Sequence, residues 1–171
     1  MPTHVANPRT EAQQAHRSHF TQISKFSSYM KEAHLVGLHG QAVREKNSTY
    51  ALFKRINKDC FTPDGEIDYP RIVVSKGSVR KASITSVTVA DGLLTVIFDS
   101  HAYDGAATDR LFLFVYSPAH CAGILADPVP RSAGHITVDI PDEWHDQNLH
   151  LYAFLQGYRL RTSDTIYCML Q

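Results

Sequence analysis

The sequence predicts an α+β protein, with an N-terminal helical hairpin packed on, or preceding, an immunoglobulin- or fibronectin-III-like antiparallel β-sandwich. Three observations predict it. Apolar residues recur at steps of three and four through the first third of the chain. The period drops to two after Pro63. About seven or eight short strands then follow, with turn signals every 8–12 residues. The boundary falls between residues 1–62, the hairpin, and 63–171, the sandwich.

The first helix opens at Thr10. Its hydroxyl and the Gln13 amide have the spacing of a capping box, and Pro8 fixes the chain just outside. Ala15, His19, Phe20, Ile23, Phe26, Met30, Ala33 and Leu38 trace one stripe along it, and Gly37 and Gly40 end it. Asn47 or Ser48 caps a second helix, which turns Ala51 or Leu52, Phe53, Ile56 and Cys60 inward. That helix stops before the turn Thr62-Pro63-Asp64-Gly65. One stripe per helix is too little core to stand alone, so the pair must pack on something.

Arg71–Ser75 reads as a short strand between Pro70 and Gly77. Ser83–Ala90 and Leu93–Asp99 flank Asp91-Gly92, a favoured two-residue hairpin turn. Arg110–Tyr116 is apolar at successive positions, as a central strand covered on both faces must be. Cys121–Ala126, His135–Ile140, Leu149–Leu155 and Thr165–Leu170 complete the set, and Asp127–Pro130 reads as an edge or crossover.

The hydrophobic share of 43% and charged share of 20% are those of an ordinary globular chain. No run approaches the ~18 apolar residues of a membrane-spanning helix, and the first residues lack the basic and apolar regions of a secretory leader. These features leave three readings open: the chain stays in the cytoplasm, leaves by another route, or has lost a longer N-terminus. Cys60, Cys121 and Cys168 are odd in number and lack CxxC spacing, which speaks against a disulfide scaffold or a zinc ribbon and for small buried hydrophobes. A Cys121–Cys168 pair across the sandwich stays open. The net charge of zero hides a split: residues 1–62 hold nine Lys/Arg against four acids, +5, and residues 63–171 hold eight against thirteen, −5. Such a dipolar chain suits an acidic partner or head-to-tail association with its own kind, and without a clustered basic stripe nucleic acid is a minor option.

Chemistry is sparse. His16 and His19 share a helix face at i, i+3, but with no HExxH and no carboxylate in register the expectation is no metal and no cofactor. His120 and Cys121, adjacent on a strand, would point to opposite faces and cannot pair as base and nucleophile. Asp99, Asp104 and Asp109 space a loop at five-residue steps, the one arrangement suggestive of calcium or a loop ligand, though no glutamate closes it. Tyr103, Trp144 and Tyr158 at loop ends could offer aromatic surfaces for a sugar or a partner, though a lone Trp more often pins a sandwich end. There is no phosphate loop and no GxSxG.

The run Asn7-Pro8-Arg9-Thr10-Glu11-Ala12-Gln13-Gln14-Ala15-His16-Arg17-Ser18-His19-Phe20 resembles an Asn-Pro-x-Thr-x-x-Gln-x-x-x-Arg-x-x-Phe signature of uncharacterised phage and prophage proteins. It is especially similar to an uncharacterised Bacteroidetes family of unknown function. Tyr69–Gly77, Ala107–Asp109, Val115–Pro118, Arg131–Gly134 and the Trp144–Tyr152 corner follow the same family. Members carry a Gly-rich segment before the motif, whereas this sequence begins almost at it. The resemblance brings no catalytic residue with it. The expectation is therefore a non-enzymatic structural or assembly protein, a phage or prophage head or tail component. It would contact protein partners, its own copies or a larger assembly, through Gln13, Gln14, His16, Arg17 and Lys25. A glycan- or protein-binding sandwich using Asp99, Asp104, Asp109 and Trp144 is the alternative, and a metal-dependent enzyme built on His16 and His19 stands behind it.

Overall fold

The computed structural model describes residues 10–62, 64–101, 106–145 and 147–170. Its organising element is a pair of antiparallel strands, β3 (Arg110–Ser117) and β7 (Leu149–Gln156), in the register Phe112↔Phe154 and Phe114↔Tyr152. Side chains alternate across a strand, so one face of this pair carries Phe112, Phe114, Tyr116, Tyr152 and Phe154. The other carries Leu111, Leu113, Val115, Leu149, Leu151, Ala153 and Leu155. The aromatic face packs on the N-terminal helices and the aliphatic face on a second sheet. The result is three layers: helices, a five-stranded sheet and a three-stranded sheet.

The five-stranded sheet has the order β4-β3-β7-β8, with β5 also paired to β3. β4 is Ala122–Leu125, β5 is Val129–Pro130 and β8 is Ile166–Leu170. The three-stranded sheet is β1-β2-β6, formed by Ile84–Ala90, Leu93–Phe98 and His135–Asp139. All pairings between these strands are antiparallel. The turn between β1 and β2 is the one expected: Asp91 and Gly92 both take positive φ, 51° and 77°, the backbone that a two-residue hairpin turn requires. Gly123 lets β4 approach β3, since a Cβ there would lie 2.0 Å from the Phe114 ring.

Before the sheets come α1 (Glu11–Tyr29), α2 (Lys31–Gly37), α3 (His39–Arg44) and α4 (Thr49–Asn57). Thr10 caps α1 by accepting the Gln13 N–H, and Ser48 caps α4 by accepting the Ala51 N–H. The single long first helix expected from the sequence is instead three, bent at Met30 and Leu38, whose side chains are both fully buried. The bends wrap the chain around the core. Gly37 makes this possible, because a Cβ there would lie 2.3 Å from the Val74 carbonyl oxygen.

The expected strand Arg71–Ser75 is absent. Tyr69–Arg71 is a 3-10 turn, and the extended chain after it is held largely by side chains, with one backbone bond from the Thr165 N–H to the Ser75 carbonyl at 3.0 Å. Asn57, fully buried, accepts the Val73 N–H at 2.7 Å and donates to the Val73 carbonyl at 2.9 Å. Thr165 Oγ1 accepts the N–H groups of Val74 and Ser75, and Ser75 Oγ donates to the Ser163 carbonyl at 2.6 Å. Ile72 and Val74 are thereby seated in the helix-side core.

Two histidines are buried beside these aromatics. His34 Nε2–H donates to the Ser27 carbonyl at 3.1 Å, while Nδ1 has no partner. His150 stacks on Tyr69 with ring centroids 3.9 Å apart and hydrogen-bonds the Tyr167 hydroxyl at 2.8 Å. Desolvation holds both pKa values below the usual histidine value.

Two outcomes follow from this packing. Phe154→Ala, which opens the contact between sheet and helices, costs about 3–5 kcal/mol by urea denaturation. The fold favours the neutral form of both histidines, so the unfolded chain takes up protons first as the pH falls through about 6.5. Stability is therefore full above that value and declines below it. Urea midpoints at pH 8, 7, 6 and 5 should fall accordingly, and His34→Gln with His150→Gln should flatten the profile.

Candidate functional site: an apolar groove on the N-terminal helices

The first helix is longer than the core beneath it. Ile23, Phe26 and Met30 are buried at no more than 3% exposure, but one turn earlier Phe20 is 53% exposed, and Ala15 is exposed as well. The apolar stripe thus runs off the end of the core, a correction to its expected burial at those two positions. Its uncovered part forms a groove of about 560 Å³ against α4, with Phe20, Ile23 and Ala51 as the apolar lining. His16 and His19 stand on the α1 wall, and Lys54, Arg55, Lys58 and Asp59 form the opposite rim.

The groove is held open by specific contacts. Lys54 Nζ lies 4.5 Å from the Phe20 ring centroid and 4.1 Å from that of Tyr50, joining the two helices through cation–π contacts. His19 Nε2–H donates to the Phe61 carbonyl at 3.1 Å, so this imidazole is committed to holding the helix end down. Arg55 is paired with Glu45, and the Gln41 amide together with that guanidinium holds the Glu45 carboxyl below its usual range. The surface therefore offers an apolar strip with an excess of positive charge along one side.

Of the expected contact residues, His16 lines the groove, while Gln13, Gln14, Arg17 and Lys25 are exposed on α1 and do not line it. Phe20, Lys54 and Lys58 are the residues that the sequence reading missed. The available signal was Phe20 itself, one turn upstream of the last stripe residue that α4 covers.

The loop candidates fare differently. Trp144 is 4% exposed in the sandwich core, its ring stacked over His120 at 6.0 Å, so it has no face free for a sugar. Asp99 Oδ1 accepts the His101 N–H at 2.8 Å, a local turn contact. Asp109 is half-buried against Gly157, and Asp104, like Tyr103, lies outside the described residues. Tyr158 is 79% exposed. No group of three or more His, Cys, Asp or Glu side chains suited to a metal occurs among the described residues.

The cysteines also depart in part from expectation. Cys60 is buried, but Cys168 is half-buried and Cys121 exposed, and all three are free thiols. Burial pushes the Cys168 thiol up to about 11. His120 and Cys121 sit in the turn before β4 rather than on a strand. There His120 Nδ1 is 3.1 Å from Ser117 Oγ and Cys121 takes φ 49°.

Residues 1–167 match the profile of a family of unknown function, DUF6266. The chain belongs to this family. A search of the curated proteins gives no match. Among solved structures, the spore cortex lytic enzyme SleM of Clostridium perfringens is similar over 55% of this chain and 30% of its own, at 15% identity and a TM-score of 0.39. Domains d3-d4 of the rat CD45 extracellular region match 56% of this chain and 51% of their own, at 14% identity and a TM-score of 0.37. A DUF3244 protein with an immunoglobulin-like β-sandwich fold from Bacteroides vulgatus aligns over its whole length with 55% of this chain, at 13% identity and a TM-score of 0.31. The chain thus spans about a third and about half of the first two. Among the described residues no helix is long and apolar enough to cross a membrane.

Because Phe20 is more than half exposed, Phe20→Ala should shift stability by less than about 1 kcal/mol in urea denaturation. Ile23→Ala, three residues on and buried, should cost about 2–5 kcal/mol in the same assay.

Proposed function

We propose that this protein is a non-enzymatic structural or assembly protein that makes protein–protein contacts through its N-terminal helices, in the setting of a phage or prophage particle. The observation that carries the reading is the uncovered apolar groove at Phe20 with its basic rim. An exposed apolar strip bordered by charge is the form of a protein contact rather than of a reaction centre.

The charge split supports one choice of partner, a second copy of this chain. The groove belongs to the +5 end, whereas the −5 end carries the β1-β2-β6 sheet, whose outer side exposes Leu93, Ile97 and Asp139. Contact of groove with sheet would be heterologous, the kind that builds rings or filaments. The particle setting is supported by the resemblance of the Asn7–Phe20 motif to phage and prophage proteins.

Sedimentation velocity from 5 µM to 500 µM should show concentration-dependent association that weakens with salt and is lost in Phe20→Asp, with far-UV circular dichroism unchanged. A chain that stays monomeric throughout, and that mass spectrometry finds missing from purified particles, would sink the proposal.

A further inference from the structure

Where α3 meets the β7–β8 loop, the sequence-distant cations Arg44, Lys76 and Arg161 line one cavity of about 470 Å³. Arg44 ends α3, Lys76 lies in the extended chain before β1, and Arg161 lies in the loop joining β7 to β8. None of the three forms an ion pair with a described residue. Glu45 is held by Arg55 and Gln41, and the one carboxylate in the lining is Asp164, whose Oδ1 accepts the Gly77 N–H at 3.1 Å. Three cations against one carboxylate leave the lining with a net positive charge, which an anion would balance.

The walls are built rather than incidental. Arg161 Nη2–H donates to Ser78 Oγ at 2.6 Å, fixing one fork of the guanidinium at the rim. A Cβ on Gly77 would lie 1.9 Å from the Thr162 carbonyl oxygen, so the Lys76–Ser78 backbone is pressed against the β7–β8 loop. That loop is itself strained. Arg159 and Leu160 take φ of 54° and 58°, a left-handed conformation unusual for side chains of this size, and it delivers Arg161 to the cavity. Backbone strain of this kind persists where the surroundings impose it, and it clusters at ligand clamps.

We infer that this cavity binds the phosphate group of a small phosphate ester, gripped by the Arg44 and Arg161 forks and by the Lys76 ammonium. Planar guanidinium groups match two phosphate oxygens at once, and the ammonium adds a point charge. The volume lies in the range of small-molecule sites and exceeds what a bare phosphate fills, leaving room for the ester's organic part beside Thr162 and Leu160. Because Arg44 comes from the helices and Lys76 and Arg161 from the sandwich side, the bound ester links the two.

Isothermal titration calorimetry with inorganic phosphate and with glycerol 3-phosphate, at constant ionic strength, tests the site. Glycerol 3-phosphate should bind once per chain, more tightly than inorganic phosphate, and raise the melting temperature. Arg161→Gln and Arg44→Gln should each weaken binding at least tenfold, whereas Lys31→Gln and Phe20→Asp should not. Lys76→Gln, at an exposed position, gives the same reading should Arg44→Gln fail to fold. The inference is overturned if neither phosphate binds saturably, if binding survives in the foldable cation variants, or if only a single-stranded oligonucleotide binds. Retention of binding in Phe20→Asp keeps this result separate from the fate of the assembly reading.

Discussion

Everything else in the structure depends on the two-faced pairing of β3 with β7. A strand exposes alternate residues on opposite sides, and here aromatics occupy one side and aliphatics the other. Flat rings such as Phe112 and Phe154, stacked with centroids 5.3 Å apart, present a broad surface to which curved helices can conform. Compact Leu, Val and Ala side chains on the reverse interdigitate with the similar residues of β1, β2 and β6. The hairpin and the sandwich therefore share a sheet as a common wall, and neither layer buries its apolar face without it.

The layers are also joined by polar side chains that bond the backbone across the seams. Asn57 closes the seam between α4 and the extended chain, and Thr165 and Ser163 close the seam between that chain and β8. Thr162 Oγ1 sits 3.1 Å from both the Gly37 and the Lys76 carbonyl oxygens, each of which it can serve as donor. A buried hydroxyl or amide with satisfied partners adds direction to packing that dispersion alone leaves loose. The bend of the helices near Gly37 is thus set by the sheet as much as by the helices' own sequence.

The strands were legible because their signal is local. A period of two and the Asp91-Gly92 turn need only neighbouring residues, and the doubly apolar run 110–116 announced a covered strand. Arg71–Ser75 has the pattern of a strand, but its partners, Asn57 and Thr165, lie 16 and about 90 residues away and hold it largely through their side chains. Phe20 looked like core because periodicity cannot say where the underlying sheet ends. Trp144 sits in a turn-rich stretch where a ligand face and a pin for the sandwich end were both open, and its ring takes the second place. The cavity at Arg44, Lys76 and Arg161 left no trace in the sequence, since its cations are scattered among ordinary surface charges.

The shared wall also sets an order of events during synthesis. Helices α1–α4 leave the ribosome before the strands, but their packing surface is complete only when residue 156 of β7 has emerged. At about 5–20 residues per second, the hundred or so residues after α4 take roughly 5–20 s to make. Through that interval Phe26, Phe53 and Leu52 have no sheet to cover them. The nascent N-terminal third is then an amphipathic helical segment open to chaperones and to its neighbours on the same message. Any partner that recognises helices rather than the finished layers meets its target before the protein has finished folding.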